Sequence, residues 1–334
     1  LMTTYSQMGQ TLGATTVEVA NSADSYLRQG KSIAETNELV KDSMMLSKLS
    51  QIESSQATDY LTASMKGYGV ATKDTLGIVD KLTAVDMESA TSAGGLAEGM
   101  AQVANNASMA GISMDKLIGY LAVIGETTGE SMSSVGNGLS TMLSRMGNIK
   151  LSRLTDPTTG EDLSNVETTL KRLGISLRDS NDTFRNFGDT LDDVGSKWKT
   201  YSDVDKRSIA VSIAGKDHME EFLVLMNNYN TALKYQTTAE QSAGTATQKM
   251  AIYQNTLEAK TKAATAAFED LSKAVINGDI FKGIIDAGGT LSNVLSSIVK
   301  SGAGIPALIA SISSISSLMG KNAGRIYAPL LRVA

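Results

Sequence analysis

The sequence predicts an all-α protein, an elongated array of short helical hairpins followed by one long, coiled-coil-like helix. Three observations carry this expectation. Only three prolines occur in 334 residues, and an interior proline breaks helices by removing a backbone bond and clashing with the preceding turn. Aromatics make up 5% of a chain that is 42% hydrophobic. The apolar content therefore rests on Ala, Leu, Ile, Val and 16 Met, which pack helix on helix with Met filling irregular gaps. Finally, apolar residues recur at helical rather than alternating spacing along most of the chain.

Residues 1–146 read as a core region of short helices with similar punctuation. Gly30 is followed by Ser32 and Glu35, Gly69 by Thr72 and Asp74, and Gly111 by Ser113 and Asp115. A glycine relieves the left-handed position after one helix, and a hydroxyl then caps the free N–H groups of the next. Thr15/Glu18, Ser32/Glu35, Ser50/Glu53, Ser164/Glu167 and Ser202/Asp205 have the spacing of a capping box. Ser and Thr are common enough here that some of these matches arise by chance. Leu39, Leu46, Leu49, Ile52, Leu61 and Met65 continue one apolar series; Leu76, Val79 and Leu82 share a face, as do Leu117, Leu121 and Ile124. The glycine-cap units recur at roughly 40 residues, a spacing also found in helical repeat arrays, but the period is lost after Gly111. A solenoid and an irregular array both remain open.

Residues 147–163 form a linker, with Asp156-Pro157-Thr158-Thr159-Gly160 as its turn; the residue before proline is pushed out of the helical region. Residues 164–237 read as a small helical domain, with helices near Val166–Leu173, Phe187–Trp198, Val204–Ile213 and His218–Leu233. Phe184, Phe187, Trp198, Phe222 and Tyr229 concentrate the scarce aromatics in this window, as the core of that domain or as a partner-binding patch. Residues 238–300 hold the long helix and a following one. Only Gly244 interrupts Thr238–Ile276, and Met250, Leu257, Ala264 and Leu271 recur every seven residues, with Phe268 and Val275 widening the stripe. That is a seam for self-association; a continuous helix over Thr238–Ile276 would span about 60 Å. Residues 301–334 form an apolar helical segment. No Lys, Arg, Asp or Glu occurs from Gly302 to Met319, where Ile305, Leu308, Ile309, Ile312, Ile315 and Leu318 supply an apolar face. The run is shorter than the roughly 20 residues a bilayer span needs and is diluted by serine, so helix pairing and membrane contact are its two readings. The chain opens inside one helical pattern and stops in an apolar stretch, which reads as part of a longer protein.

Chemistry has few places to reside. No cysteine is present, which excludes disulfides, thiolate catalysis and zinc–thiolate sites. The net charge of −5, with scattered Lys and Arg, gives no basic footprint for sequence-independent or sequence-specific nucleic-acid binding. His218 is the single histidine; with Glu220 and Glu221 beside it, it falls short of a three-ligand metal site, and no nucleophile–base pair can be built without it. Gly94-Gly95 and Gly136-x-Gly138 lack the lysine and buried strand of a phosphate loop. Asp192-Asp193 and Glu220-Glu221 imitate acid/base dyads but read as solvated charge. No catalytic, cofactor-binding or metal residue is assigned, and no cofactor is expected.

Gly174-Ile175-Ser176-Leu177-Arg178-Asp179, Phe184-Arg185-Asn186-Phe187, Leu191-Asp192-x-Val194 and Lys197-Trp198 look like a segment of bacteriophage tail tape-measure proteins. The likeness continues through Ile209-Ala210, Ile213-Ala214-Gly215, Phe222-Leu223-x-Leu225-Met226-Asn227-Asn228 and Ser242-Ala243-Gly244-Thr245-Ala246. Upstream, Ala57-Thr58-Asp59-Tyr60-Leu61-Thr62, Lys66-Gly67 and Gly95-Leu96-Ala97-Glu98-Gly99 resemble the family's N-terminal core; downstream, Lys282-Gly283-Ile284-Ile285-Asp286 and Gly304-Ile305-Pro306 also match. One departure is His218-Met219-Glu220-Glu221, where the family often has a polar, asparagine-containing stretch. The resemblance implies a structural scaffold and ruler that sets tail length during assembly and leaves the tube ahead of DNA. It implies partners among its own copies, the tail tube protein, tail assembly chaperones and tail tip proteins, with the host membrane as a further contact. It places the protein in the lumen of the virion tail, and in the host cytoplasm during assembly. Set against it is a membrane-interacting helical module that helps the genome through the host envelope.

Overall fold

The computed structural model describes residues 2–262, apart from Thr158 and Leu257. The all-α class holds. The described residues form fourteen α-helices and two 3-10 turns, and their extended pairing is limited to the isolated bridges Thr155–Asp162 and Arg178–Phe184. The chain divides into two units, Leu1–Ser25 together with the residues from Ala251 onward, and Tyr26–Met250.

In the first unit, α1 (Met2–Leu12) ends at Gly13, whose φ of +65° suits glycine. The chain then enters α2 (Thr16–Arg28) through the predicted capping box: Thr15 N–H donates to Glu18 Oε2 at 2.7 Å, and Glu18 N–H donates to Thr15 Oγ1 at 3.2 Å. Gln254 Nε2 donates to the Thr11 carbonyl at 2.6 Å, tying the residues after α14 to α1.

The second unit contains α3 (Ile33–Ser50), α4 (Ser54–Tyr68), a 3-10 turn at Thr72–Asp74, α5 (Leu76–Asp86), α6 (Ala93–Met109), α7 (Met114–Thr128) and α8 (Met132–Lys150). After a loop it continues as α9 (Val166–Arg172), α10 (Phe187–Lys197), a 3-10 turn at Trp198–Thr200, α11 (Asp203–Ala214), α12 (Met219–Asn227) and α13 (Tyr229–Glu240). It closes with α14 (Thr245–Tyr253), of which the residues through Met250 belong to this unit. The predicted punctuation largely stands. Gly30, Gly69 and Gly111 all have positive φ, Ser32 and Glu35 form a complete capping box, and Ser113 and Ser202 cap α7 and α11. Two predicted boxes fail. Glu53, rather than Ser50, caps α4, with Gln56 as its reciprocal partner. Asn165, rather than Ser164, precedes α9, and Ser164 N–H instead donates to Asp162.

Two helices form the interior. In α3, Leu39 to Leu46 is buried except for Lys41. In α7, the unbroken run Leu117–Gly125 is buried. Around α7 pack α5, α6, α8, α12 and α13, while α6 lies between α4 and α8. Backbone proximity makes this possible: a Cβ on Gly136 of α8 would overlap the Gly99 carbonyl of α6, and one on Gly119 of α7 would overlap the Ala232 carbonyl of α13. Small residues permit such crossings by removing the side chain that would hold the axes apart.

Packing α13 onto α5 and α7 excludes the solenoid reading, in which each repeat touches only its sequence neighbours. Residues 147–163 lie inside the unit Tyr26–Met250, where α11 packs on α8 and α12 and α13 pack on α7. Within that unit the expected helix at His218–Leu233 is two helices, α12 and α13, separated at Asn228.

The long helix expected from Thr238 is corrected over its described part. The helix α13 ends before Gln241, Gly244 turns the chain with φ +83°, and α14 ends at Tyr253. The chain turns again through Asn255 and Thr256, whose N–H groups donate to the carbonyls of Ile252 and Tyr253. The physical reason is an internal competitor for the backbone. Free N–H groups after Gly244 are capped by a carboxylate from α5, a partner that a continuous helix would forgo. Met250, the first seam residue, is 3% exposed in the interior. The other seam positions, Leu257, Ala264, Phe268, Leu271 and Val275, and the apolar segment Ile305, Leu308, Ile309, Ile312, Ile315 and Leu318, lie outside the described residues.

Candidate functional site

The polar groups that an active site would need are present, but they are spent on one another between helices. The densest network joins α7, α10 and α13. Lys116 Nζ donates to Asp192 Oδ2 at 2.7 Å, Tyr229 Oη donates to the other oxygen of Asp192, and the Tyr229 and Tyr120 hydroxyls are 3.2 Å apart. Gly195 on α10 makes room for the Tyr229 ring, which would overlap any Cβ there. Burial, then the neighbouring Tyr120 hydroxyl and the Asp192 carboxylate, raises the Tyr229 pKa, so this phenol stays a donor. Asp193, the neighbour of Asp192, turns to Arg185 at 2.6 Å. The two carboxylates therefore do not converge, and an acid/base dyad is not assembled.

His218 sits at the entry of α12, with Nδ1 2.9 Å from Glu221 Oε1. Glu221 is buried, and both groups lie beneath Gly138 of α8, where a Cβ would stand 3.1 Å from His218 Nδ1. They form a helix-entry pair; among the described residues no cluster of three or more His, Asp or Glu suits a metal ion. The glycines Gly94, Gly95, Gly136 and Gly138 lie within α6 and α8, at packing positions rather than in phosphate-binding loops.

The aromatic window is interior. Phe187, Trp198, Phe222 and Tyr229 are buried, and only Phe184 is half-buried, with the Arg178 guanidinium 4.0 Å above its ring. Trp198 meets Phe222 edge-on at 6.1 Å, and its Nε1–H donates to Asn227 Oδ1 at 2.7 Å, giving the indole both an apolar contact and a polar partner. These rings do not form a separate domain core. Phe187 and Phe222 join Ile112, Leu117, Tyr120 and Leu139 around a cavity of about 10 Å³, apolar and at the lower limit for one water. No substrate fits there.

Three further ties complete the interior. Arg145 of α8 pairs with Glu161 of the 151–165 loop at 2.5 Å and donates through Nε to the Ser212 carbonyl of α11 at 3.2 Å. Tyr235 of α13 donates to Glu126 of α7 at 2.9 Å; burial and this bond push its pKa up to about 12. Lys81 of α5 pairs with Asp115 of α7. Sequence reasoning passed over two carboxylates of greater consequence. Asp80 and Asp42 are each 6% exposed. Asp80 reaches the backbone of α14, with Oδ2 and Oδ1 accepting from Gly244 and Ala246 at 3.0 and 2.8 Å. Asp42 is pushed up to about 7 by burial, with Glu38 and Asp80 adding to the rise and Lys41 opposing it. Their signal was available: each carboxylate stands on an apolar face, Asp42 between Val40 and Met44, Asp80 between Val79 and Leu82.

The described residues thus form an all-α body with several ionisable groups paired between helices. The family comparison says what kind of protein this is. Residues 3–215 match the model of the phage-related minor tail protein family; the match covers well over half of the chain, which belongs to that family. Its last matched residue is Gly215, which closes α11. No solved structure matches the chain at a significant level. The protein is thus a phage tail component, built to interact with other tail proteins. No described helix is long and apolar enough to cross a membrane.

Proposed function

We propose that this chain is the tape-measure component of its phage tail, the structural ruler that sets tail length during assembly and leaves the tube as DNA is ejected. The family match over residues 3–215 is the observation that carries the reading. Its helical build supports it. Each helical residue adds about 1.5 Å along an axis, so contour length translates into a physical length. The reading assigns the chain no reaction. Its partners are its own copies, the tail tube protein, the tail assembly chaperones and the tail tip proteins.

The test is tail length in assembled particles. In-frame removal of residues 263–300, which lie outside α1–α14, should shorten the tail by roughly 60 Å in electron micrographs if each residue counts for one helical rise. Duplicating the same residues should lengthen it by a similar amount. Tails of unchanged length in both variants would refute the ruler while leaving membership of the tail family in place.

A further inference from the structure

The helix α14 is held to its unit by few apolar contacts and several polar ones. Its neighbour α13 buries Tyr229, Ala232, Tyr235 and Ala239 and packs along α5 and α7. In α14 only Ala246 and Met250 are buried, one turn apart, while Thr247, Gln248 and Ala251 are exposed and Ile252 is 71% exposed. Such a small apolar footprint provides little hydrophobic hold. What fixes the helix is charge on α5. Asp80 accepts both N–H groups at its start, Gly244 at 3.0 Å and Ala246 at 2.8 Å, where a carboxylate also meets the positive end of the helix dipole. One turn and a half further along α5, Asp86 pairs with Lys249 at 2.5 Å. The preceding link, Ser242 to Gly244, includes the positive-φ glycine and is a ready hinge.

We propose that α14 is a detachable latch, clamped to α5 by the Asp80 and Asp86 carboxylates, that releases while α3 to α13 stay folded. Local opening of this kind falls where apolar contacts are few and the holding interactions are polar. Release frees residues 242–250 from α5 and leaves the interior helices closed, because Tyr235 and Ala239 remain seated on the α13 side of the hinge. The buried end of the latch is then Asp80 itself, a carboxylate that regains water when α14 departs.

Hydrogen exchange read by mass spectrometry on the full chain tests the proposal. In the wild type, peptides covering residues 242–250 should exchange faster than peptides of α6 and α7, through an opening of their own. In Asp80→Asn and Asp80→Ala, exchange of 242–250 should accelerate about tenfold or more, the effect of losing charge-assisted hydrogen bonds, with α6 and α7 unchanged. Lys249→Gln, which leaves Asp80 in place, should accelerate the same peptides by a smaller factor. Exchange of 242–250 at the α7 rate in the wild type would overturn the proposal, whether or not the Asp80 variants fold. So would acceleration in the Asp80 variants that appears equally in α6, α7 and 242–250.

Discussion

Asp42 makes the stability of this protein depend on pH in a direction opposite to that of a salt-bridged carboxylate, and Asp42→Asn isolates the effect. The carboxyl is buried on α3, and its pKa rises from 3.8 to about 7, through burial above all, against the pull of Lys41 and with Glu38 and Asp80 adding to the rise. Between those two values the folded state holds a proton that the unfolded chain has released. Stability from this group is therefore complete below the unfolded pKa and is lost as pH rises through the folded one. The separation of roughly three pH units corresponds to at most about 4 kcal/mol, at 1.36 kcal/mol per unit. Asn keeps the size and cannot ionise. Urea denaturation of the wild type and Asp42→Asn, followed by circular dichroism at a series of pH values, measures the difference directly. The variant should gain little or nothing near pH 4 and about 2–4 kcal/mol near pH 8, with equal m-values. Titrations shared by both proteins cancel in this difference. A difference that stays flat across that range, or a wild type that becomes the more stable partner at the alkaline end, would refute the assignment of Asp42 as a buried group that prefers its neutral form.

Three other substitutions probe the ties between helices. Gly119→Ala places a Cβ against the Ala232 carbonyl, so α13 must shift; a loss of about 1–3 kcal/mol is expected in the same denaturation assay, with faster hydrogen exchange in α13. Tyr229→Phe removes the hydroxyl that joins Asp192 to Tyr120 and should cost about 1–3 kcal/mol, reading as a lower melting temperature with the helical content unchanged. Ser32→Ala deletes the side-chain half of the α3 capping box, the acceptor for the Glu35 N–H, for a loss of about 1 kcal/mol and exchange that quickens at the first turn of α3 and not at its centre.

How much of this was legible in the chain follows from the range of each interaction. Caps and glycine turns act within four residues, so Ser32/Glu35, Gly69, Ser113 and Ser202 could be read in place. The failures were of the same short range: Glu53 in place of Ser50 and Asn165 in place of Ser164, because abundant hydroxyls offer competing registers. The aromatic window stood open between a domain core and a partner-binding patch, because its partners on α7 and α8 stand far off in sequence. The absence of a catalytic constellation was argued from a single histidine and no cysteine, whereas the partners of Asp192 and Asp193 needed coordinates.

Composition and periodicity alone determined that the protein is α-helical and where several of its helices are capped, because helix formation and capping are local and repeat along the chain. Tertiary structure alone decided that α13 returns to lie on α7, that Met250 turns inward and that the expected long helix is broken after Glu240. The reason is physical: a heptad stripe records only that a helix has an apolar side, while Asp80, well over a hundred residues away in sequence, offers the backbone beyond Gly244 a better partner than the next turn of helix would.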